Sequence, residues 1–374
     1  MRSTHDCVSK TIVGVPRQLM RAAVIRQHGG PDVLSLEDVP VPSPAEDELL
    51  IRVAAVGLNH LDVFAREGLK GPGVHPITLP HVSGVDVAGV VSAHGAMVRE
   101  APAVGARVLV NPAIGCGDCR YCRRGEVSMC SRYTILGEHR WGGLADYVCV
   151  PARNVVSLPE SIDFVHAAAV PGAYTTAWRA AITVAQLRPG ERVLVVGVSG
   201  GVGCAVLQIA VRAGATVLGT ASSPSKRDRA LALGAAAVFD SRTDWLGEVL
   251  EWTNGEGVDF VHDAVGAPTW RRSIRSLAMG GRMTISGATA GDTPDISIRE
   301  IYQHHRRILG APMGSWQDFL EVTRLVFSGQ IVPEVHSVYP LERLAEAEAA
   351  LERREHFGKI VIQVDPAGVA PADV

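Results

Sequence analysis

Four cysteines crowd into the stretch Gly115–Cys130: Cys116, Cys119, Cys122 and Cys130, in the order C-x2-C-x2-C-x7-C. Thiolates this close can surround one tetrahedral metal ion, zinc above all, and four of them leave no open position for a substrate. Such a site pins a loop and does no chemistry itself. A disulfide pair or a redox switch is the competing reading of the same residues. The remaining cysteines, Cys7, Cys149 and Cys204, are scattered, and the odd total of 7 is no disulfide framework. That usage fits a reducing cytoplasm. Cys149 and Cys204 lie in apolar contexts and read as buried, inert thiols.

A second chemical signal is "VLVVGVSGGVGCAVLQIAVRAGA", an apolar strand, a glycine-rich turn and a helix without a break. Glycines at 197, 200, 201 and 203 let the backbone approach a pyrophosphate, which rests on the N-terminus of the helix. Ser199, Gly200, Gly201 and Val202 are therefore candidate cofactor contacts. The strand "ATVLGTA" then selects the cofactor. An NAD site places Asp or Glu near its end to hold the ribose 2′-hydroxyl. Here Ala221 stands there, followed by Ser222, Ser223, Lys226 and Arg227. Hydroxyls and cations with no carboxylate favour the 2′-phosphate of NADPH. The competing reading is a solvated helix start with incidental basic residues.

These segments need a frame. At 374 residues the chain is about right for two domains, and 47% hydrophobic with 20% charged residues is a globular balance. A net charge of −3 without a basic stripe argues against a nucleic-acid or membrane-surface role. No apolar run approaches the roughly 18 residues of a transmembrane helix, and the N-terminus lacks the apolar core of a secretory signal. Residues 1–19 show no periodicity and read as a flexible extension before a fresh start at Met20. From 20 to 173, short β-branched runs between Gly and Pro predict a compact, largely antiparallel β domain. From 174 to 311, continuous apolar strands alternate with helical patterns, which predicts a doubly wound parallel α/β sheet. "GRMTISGA", beginning near Gly281, is expected at the edge of that sheet and invites pairing with a second copy. After 312, two amphipathic helices and a closing strand are expected.

The chain resembles the medium-chain dehydrogenase/reductase superfamily from Met20 to the C-terminus. The marks are "GLNHLD", "SGVDVAG", the four-cysteine lobe, "TTAW", "GVSGGVG" and "FGKIVIQV". The resemblance implies a Rossmann domain over 174–311 and a GroES-like catalytic domain built from 20–173 and 312–374, with the reaction in the cleft between them. It implies one structural zinc on the four cysteines, adds Thr176 and Gly287 to the cofactor contacts, and makes a homodimer the expected assembly. Catalytic zinc in this family is held by a Cys, a His and a further Cys or acid. The corresponding positions here read Asn59, Val85 (with Asp86 beside it) and the neighbourhood of Pro171 and Gly172. Val, Gly and Pro cannot coordinate zinc and an amide is a poor ligand for it. A competing set, His60, Asp62, His81, Glu138 and His139, lies in adjacent segments and could in principle converge on a metal.

Without a Lewis acid, an alcohol is hard to dehydrogenate, while hydride transfer from NADPH to an enone, enoyl or quinone acceptor is easier. The expected activity is therefore that of an NADPH-dependent reductase of an activated C=C bond or quinone, acting on a small molecule. Asn59, His60 and Asp62 are the candidate catalytic residues. Asn59 is expected to supply an amide donor near nicotinamide or substrate, His60 to meet cofactor phosphates or relay a proton, and Asp62 to accept structural hydrogen bonds. Many relatives in the reductase branch carry a Tyr, proposed as proton donor, in the segment after the Asn; the nearest aligned position here is Phe64, which cannot take that role. Loops around 64–80 and 133–142 and the segment near Met313 are expected to shape the substrate pocket. An alcohol dehydrogenase with unusual zinc ligands and a non-catalytic NADPH-binding protein are the alternatives.

Overall fold

The computed structural model describes residues 18–68 and 76–365. The extension expected over 1–19 thus lies almost wholly outside the described residues, as do Cys7 and the tip of the 64–80 loop. β1 (Leu19–Ile25) and β2 (Leu34–Pro40) form an antiparallel pair. β3 (Glu48–Gly57) leads through α1 (His60–Glu67) to β4 (Asp86–His94) and β5 (Arg107–Val110), the three strands pairing antiparallel in turn. Leu49, Ile51 and Val53 of β3 pack with Val87, Val91 and Val148 in one apolar core. The four-cysteine segment is an excursion from this sheet, clipped at its base by the two-residue strands β6 (Ala113–Ile114) and β7 (Thr134–Ile135). The chain re-enters through β8 (Tyr147–Pro151), beside β3, and β9 (Val155–Ser157), beside β5.

α2 (Phe164–Ala168) and α3 (Pro171–Trp178) carry the chain across to a second sheet, α3 running into a π-helical stretch at Arg179–Val184. Strands and helices then alternate: β10 (Arg192–Val196), α4 (Gly201–Arg212), β11 (Thr216–Ala221), α5 (Pro224–Ala232), β12 (Ala237–Asp240) and α6 (Trp245–Trp252). β13 (Val258–Asp263), α7 (Ala267–Arg275), β14 (Leu277–Ile285), α8 (Ile298–Tyr302) and β15 (Arg307–Gly310) complete the set. All six strands are parallel, in the order β12-β11-β10-β13-β14-β15. The order reverses between β10 and β13, which opens a crevice at their carboxyl ends where open α/β sheets bind ligands. The edge position expected for "GRMTISGA" is taken by another strand. The "GRMTISGA" run lies in β14, which has β13 on one side and β15 on the other, so the sheet edge on this side is β15. "RILG" is too short to announce itself as a strand.

The C-terminal part comprises α9 (Trp316–Phe327), β16 (Val335–Pro340), α10 (Leu344–Glu352) and β17 (Lys359–Gln363). β17 pairs antiparallel with β3, so both ends of the chain build the first sheet, and Lys359 comes to lie beside the β3–α1 junction. β16 was not expected; its "VHSVYP" alternates half-buried with exposed and lacks an apolar run. Among the described residues, no helix is long and apolar enough to cross a membrane.

Candidate active site

A cavity of about 680 Å³ lies between the glycine turn and the ends of the first sheet. Ser199, Gly200, Gly201 and Val202 line it, as do Thr176 and Gly287. Gly200 caps α4 without a side-chain hydrogen bond, so the first N–H groups of that helix face the cavity unclaimed by a cap. The turn is close-packed: a Cβ on Gly203 would stand 2.4 Å from the Gly197 carbonyl oxygen. This is the geometry a pyrophosphate needs, and the residues present fit a nicotinamide dinucleotide. At the far end Trp245 lines the cavity with the Arg272 guanidinium 4.9 Å from its ring centre, a pair that sequence reading missed.

The residues expected to read the 2′-phosphate divide. Ser222 and Lys226 line the cavity. The Ser223 hydroxyl instead accepts the Lys226 N–H at 3.4 Å as the cap of α5. The Lys226 ammonium donates to the Arg354 carbonyl, so it is tied across the cleft to the turn that precedes β17. Ala221 is buried at the end of β11, beside Asp240, whose carboxylate is paired with Arg242 at 2.6 Å and Arg227 at 3.1 Å.

The structure brings Asn59, Asp86, Gly172 and Lys359, from four separate segments, into one polar network. Lys359 Nζ donates to the Leu58 carbonyl at 2.7 Å, to Asn59 Oδ1 at 2.7 Å and to Asp86 Oδ2 at 3.0 Å. Three donor positions are all an ammonium has, so this one is saturated. Asp86 also accepts the Gly172 N–H at 2.7 Å. Asn59 Nδ2 donates to Asp86 Oδ2 at 3.0 Å and to the Gly57 carbonyl at 3.2 Å. Both amide hydrogens are therefore engaged, and the free donor expected of Asn59 is not there; the side chain holds Lys359 and Asp86 in place. Val85, 1% exposed, lines the cavity beside them.

Asp62 behaves as the acceptor expected. One oxygen takes the Asn59 N–H at 2.8 Å, the other the Gly84 N–H at 2.9 Å, joining the start of α1 to the approach to β4. Burial pushes its carboxyl up to about 6 despite those two bonds. His60 lines the cavity; burial, then the charges of Arg354 and Lys359, pull its imidazole down to about 4, so it is neutral near pH 7. Phe64 and Met313 line the same cavity, and the His60 and Phe64 rings lie 6.3 Å apart. The competing metal set does not converge. His81 bonds the Gly137 carbonyl at 2.9 Å, and His139 Nδ1 accepts the Ile135 N–H at 3.1 Å while lying 3.6 Å from Glu138.

Among the described residues, the side chains that could hold a metal are Cys116, Cys119, Cys122 and Cys130, whose Sγ atoms all lie within 4.8 Å of one another. Cys116 and Cys122 Sγ are 3.8 Å apart, close to the sulfur–sulfur edge of a zinc tetrahedron with bonds of about 2.3 Å. The Cys122 N–H points at Cys119 Sγ (3.4 Å) and the Arg132 N–H at Cys130 Sγ (3.3 Å), contacts that favour thiolate. The first of these leads in drawing the Cys119 thiol down to about 6. The residues fit zinc. Glu126, at the far side of the lobe, pairs with Arg179 at 2.7 Å, and Arg179 pairs with Asp318 of α9.

Comparison with known proteins agrees with this geometry. Residues 45–160 match the alcohol dehydrogenase GroES-like domain and residues 201–328 the zinc-binding dehydrogenase family. Human quinone oxidoreductase is 32% identical over 355 residues, covering 92% of this chain and 98% of its own. The NAD-dependent alcohol dehydrogenase of Saccharolobus solfataricus is 33% identical over 360 residues, covering 92% and 99%. A solved NAD-dependent alcohol dehydrogenase superposes with a TM-score of 0.88 at 42% identity, covering 92% of this chain and all of that one. With a GroES-like sheet, a Rossmann-like parallel sheet and a four-cysteine cluster between them in sequence, the chain belongs to the medium-chain dehydrogenase/reductase superfamily, as an oxidoreductase.

Proposed function

We propose that the protein reduces an activated C=C bond or a quinone with NADPH and uses no metal at the reacting centre. The observation that carries this reading is the network around Lys359. The positions where the family's catalytic zinc ligands stand hold an amide, a valine and a glycine, and the amide and the neighbouring Asp86 are bound to an ammonium. A zinc ion there would have to displace a buried cation and find ligands that Val85 and Gly172 do not have. NADPH, when bound, supplies the hydride. The chain's own residues shape the acceptor site: Val85, Phe64, Ile135 and Met313 give it apolar walls suited to an unsaturated carbonyl compound. His60, neutral near pH 7, offers a hydrogen-bond donor rather than a proton, so protonation of the product falls to water.

NADPH is preferred over NADH because Ala221 offers no carboxylate and Asp240 beside it is occupied by Arg227 and Arg242. The chain assembles as a homodimer through the edge strand β15, with Ile298 and Tyr302 of α8, 74% and 60% exposed, covered on pairing. Sedimentation at micromolar concentration tests the assembly; a monomer would count against it. The test of function is NADPH oxidation across enones, enoyl thioesters, quinones and aldehydes, set against oxidation of benzyl alcohol with NADP. Alcohol oxidation without enone or quinone turnover would reject the reductase reading. The alcohol dehydrogenase reading, which the NAD-dependent relatives favour, requires a second zinc per chain.

A further inference from the structure

The turn between α10 and β17, Arg353–Gly358, comes from the GroES-like part and is fastened to the Rossmann sheet at three points. Its Gly358 N–H donates to the Ser199 carbonyl in the glycine turn at 2.9 Å. Its Arg354 carbonyl accepts the Lys226 ammonium of α5, and its Arg354 guanidinium reaches the Thr289 carbonyl at 3.2 Å. In the middle of this strap His356 lines the cofactor cavity, only 5% exposed, with a buried Nδ1 that has no hydrogen-bond partner. A buried ring nitrogen without a partner costs free energy, and such a group beside a ligand cleft points to a partner that arrives with the ligand.

We propose that His356 is a ligand of the cofactor pyrophosphate and takes up a proton as the dinucleotide binds. The inference rests on the dinucleotide-binding reading above and extends it to a residue outside the glycine turn. Without the ligand, the groups facing His356 are basic: His60 of α1, Lys226 of α5, His336 of β16 and Lys359 of β17. Burial first, then these neighbours, hold the imidazole down to about 3. Of the carboxylates in the same segment, Glu352 raises His60 and Glu355 raises Lys226. A pyrophosphate on the N-terminus of α4 reverses that field. One charge at contact distance in a partly buried site moves a pKa by about three, and pyrophosphate brings two. The ring then becomes a charged donor, and the cleft is bridged from the GroES-like side by a bond that forms only with cofactor present.

ADP-ribose is the probe, because it carries the pyrophosphate and lacks the nicotinamide. Titration calorimetry at about pH 6.5, in two buffers of different ionisation enthalpy, reads the protons taken up. The wild-type chain is expected to take up between about half and one proton per site. His356→Gln, which keeps an N–H donor and cannot titrate, is expected to bind without uptake. His356→Ala is expected to bind roughly tenfold or more weakly. Heat independent of the buffer in the wild type overturns the proposal, and so does uptake that persists in His356→Gln. Uptake that survives there and disappears in His60→Gln assigns the proton to His60. Absence of binding by both ADP-ribose and NADPH overturns the dinucleotide reading itself, and the proposal with it; NADPH bound with no binding of ADP-ribose overturns the proposal alone.

Discussion

Lys359 Nζ and Asp86 Oδ2 lie 3.0 Å apart, an ion pair between residues 273 positions apart in the chain, with side-chain exposures of 3% and 0%. A buried pair of this kind gains little over apolar packing, but losing one partner strands the other charge. Lys359→Met should therefore destabilise the protein by about 3–5 kcal/mol. Adding Asp86→Asn should recover part of that loss, because no charge is then left uncompensated. Denaturant unfolding of the two variants checks this. A single variant as stable as the parent would mean that water or another cation reaches Asp86.

That pair joins segments that no local pattern in the sequence connects. The glycine turn, the alternating strands and the four-cysteine spacing are local patterns, and the structure carries each of them where the pattern stood. Asn59 stands out by its position, but its role depends on Lys359, three hundred residues away, which local periodicity cannot connect. A lysine opening the apolar run "KIVIQ" was the available signal, since a cation at the head of a buried strand must find a partner. Lys226 lines the cavity as its place in sequence suggests, and one of its three donor positions has a partner that the sequence could not show. That partner is the Arg354 carbonyl of the C-terminal turn, 128 positions away. Strand β16 and edge strand β15 were missed because one is interrupted by polar residues and the other is only four residues long.

The cysteine lobe predicts its own metal dependence. Purified protein should carry about one zinc per chain. Cys119→Ser should lose that zinc and loosen Glu126 from Arg179, because the strands β6 and β7 that close the lobe are two residues each and the four thiolates gather the loop between them. Metal analysis and limited proteolysis between 113 and 135 are the readouts. Protease resistance unchanged in a zinc-free variant would show that the lobe folds without metal.

Cofactor choice should respond to the end of β11. Ala221→Asp places a carboxylate where a 2′-phosphate would lie and beside Asp240. NADPH affinity should fall by roughly tenfold to a hundredfold, the worth of one or two charge-assisted contacts, while NADH binding holds or improves. Fluorescence titration with both cofactors measures it. Equal NADPH and NADH affinities in the parent would reject the 2′-phosphate reading before any variant is made.

Stability should depend on pH through Glu138. Its side chain is 15% exposed, and burial pushes its carboxyl up to about 7; in the unfolded chain the value returns to about 4.3. Between those two values the folded protein holds a proton that the unfolded chain has released. The stabilisation is therefore complete below about pH 4.3 and is lost as pH rises through about 7. Above that range the folded state carries a desolvated carboxylate near the buried hydroxyl of Tyr133, whose phenol is pushed upward by burial first and then by Glu138. Glu138→Gln cannot ionise, so it should be more stable than the parent at about pH 8, by on the order of 1–2 kcal/mol after allowing for the solvent that reaches the site. At about pH 4 that advantage should vanish. Thermal melts of both proteins at the two pH values, in one ionic strength, make the comparison. An advantage of equal size at both would mean that the substitution acts through packing, with the carboxyl titrating outside this window.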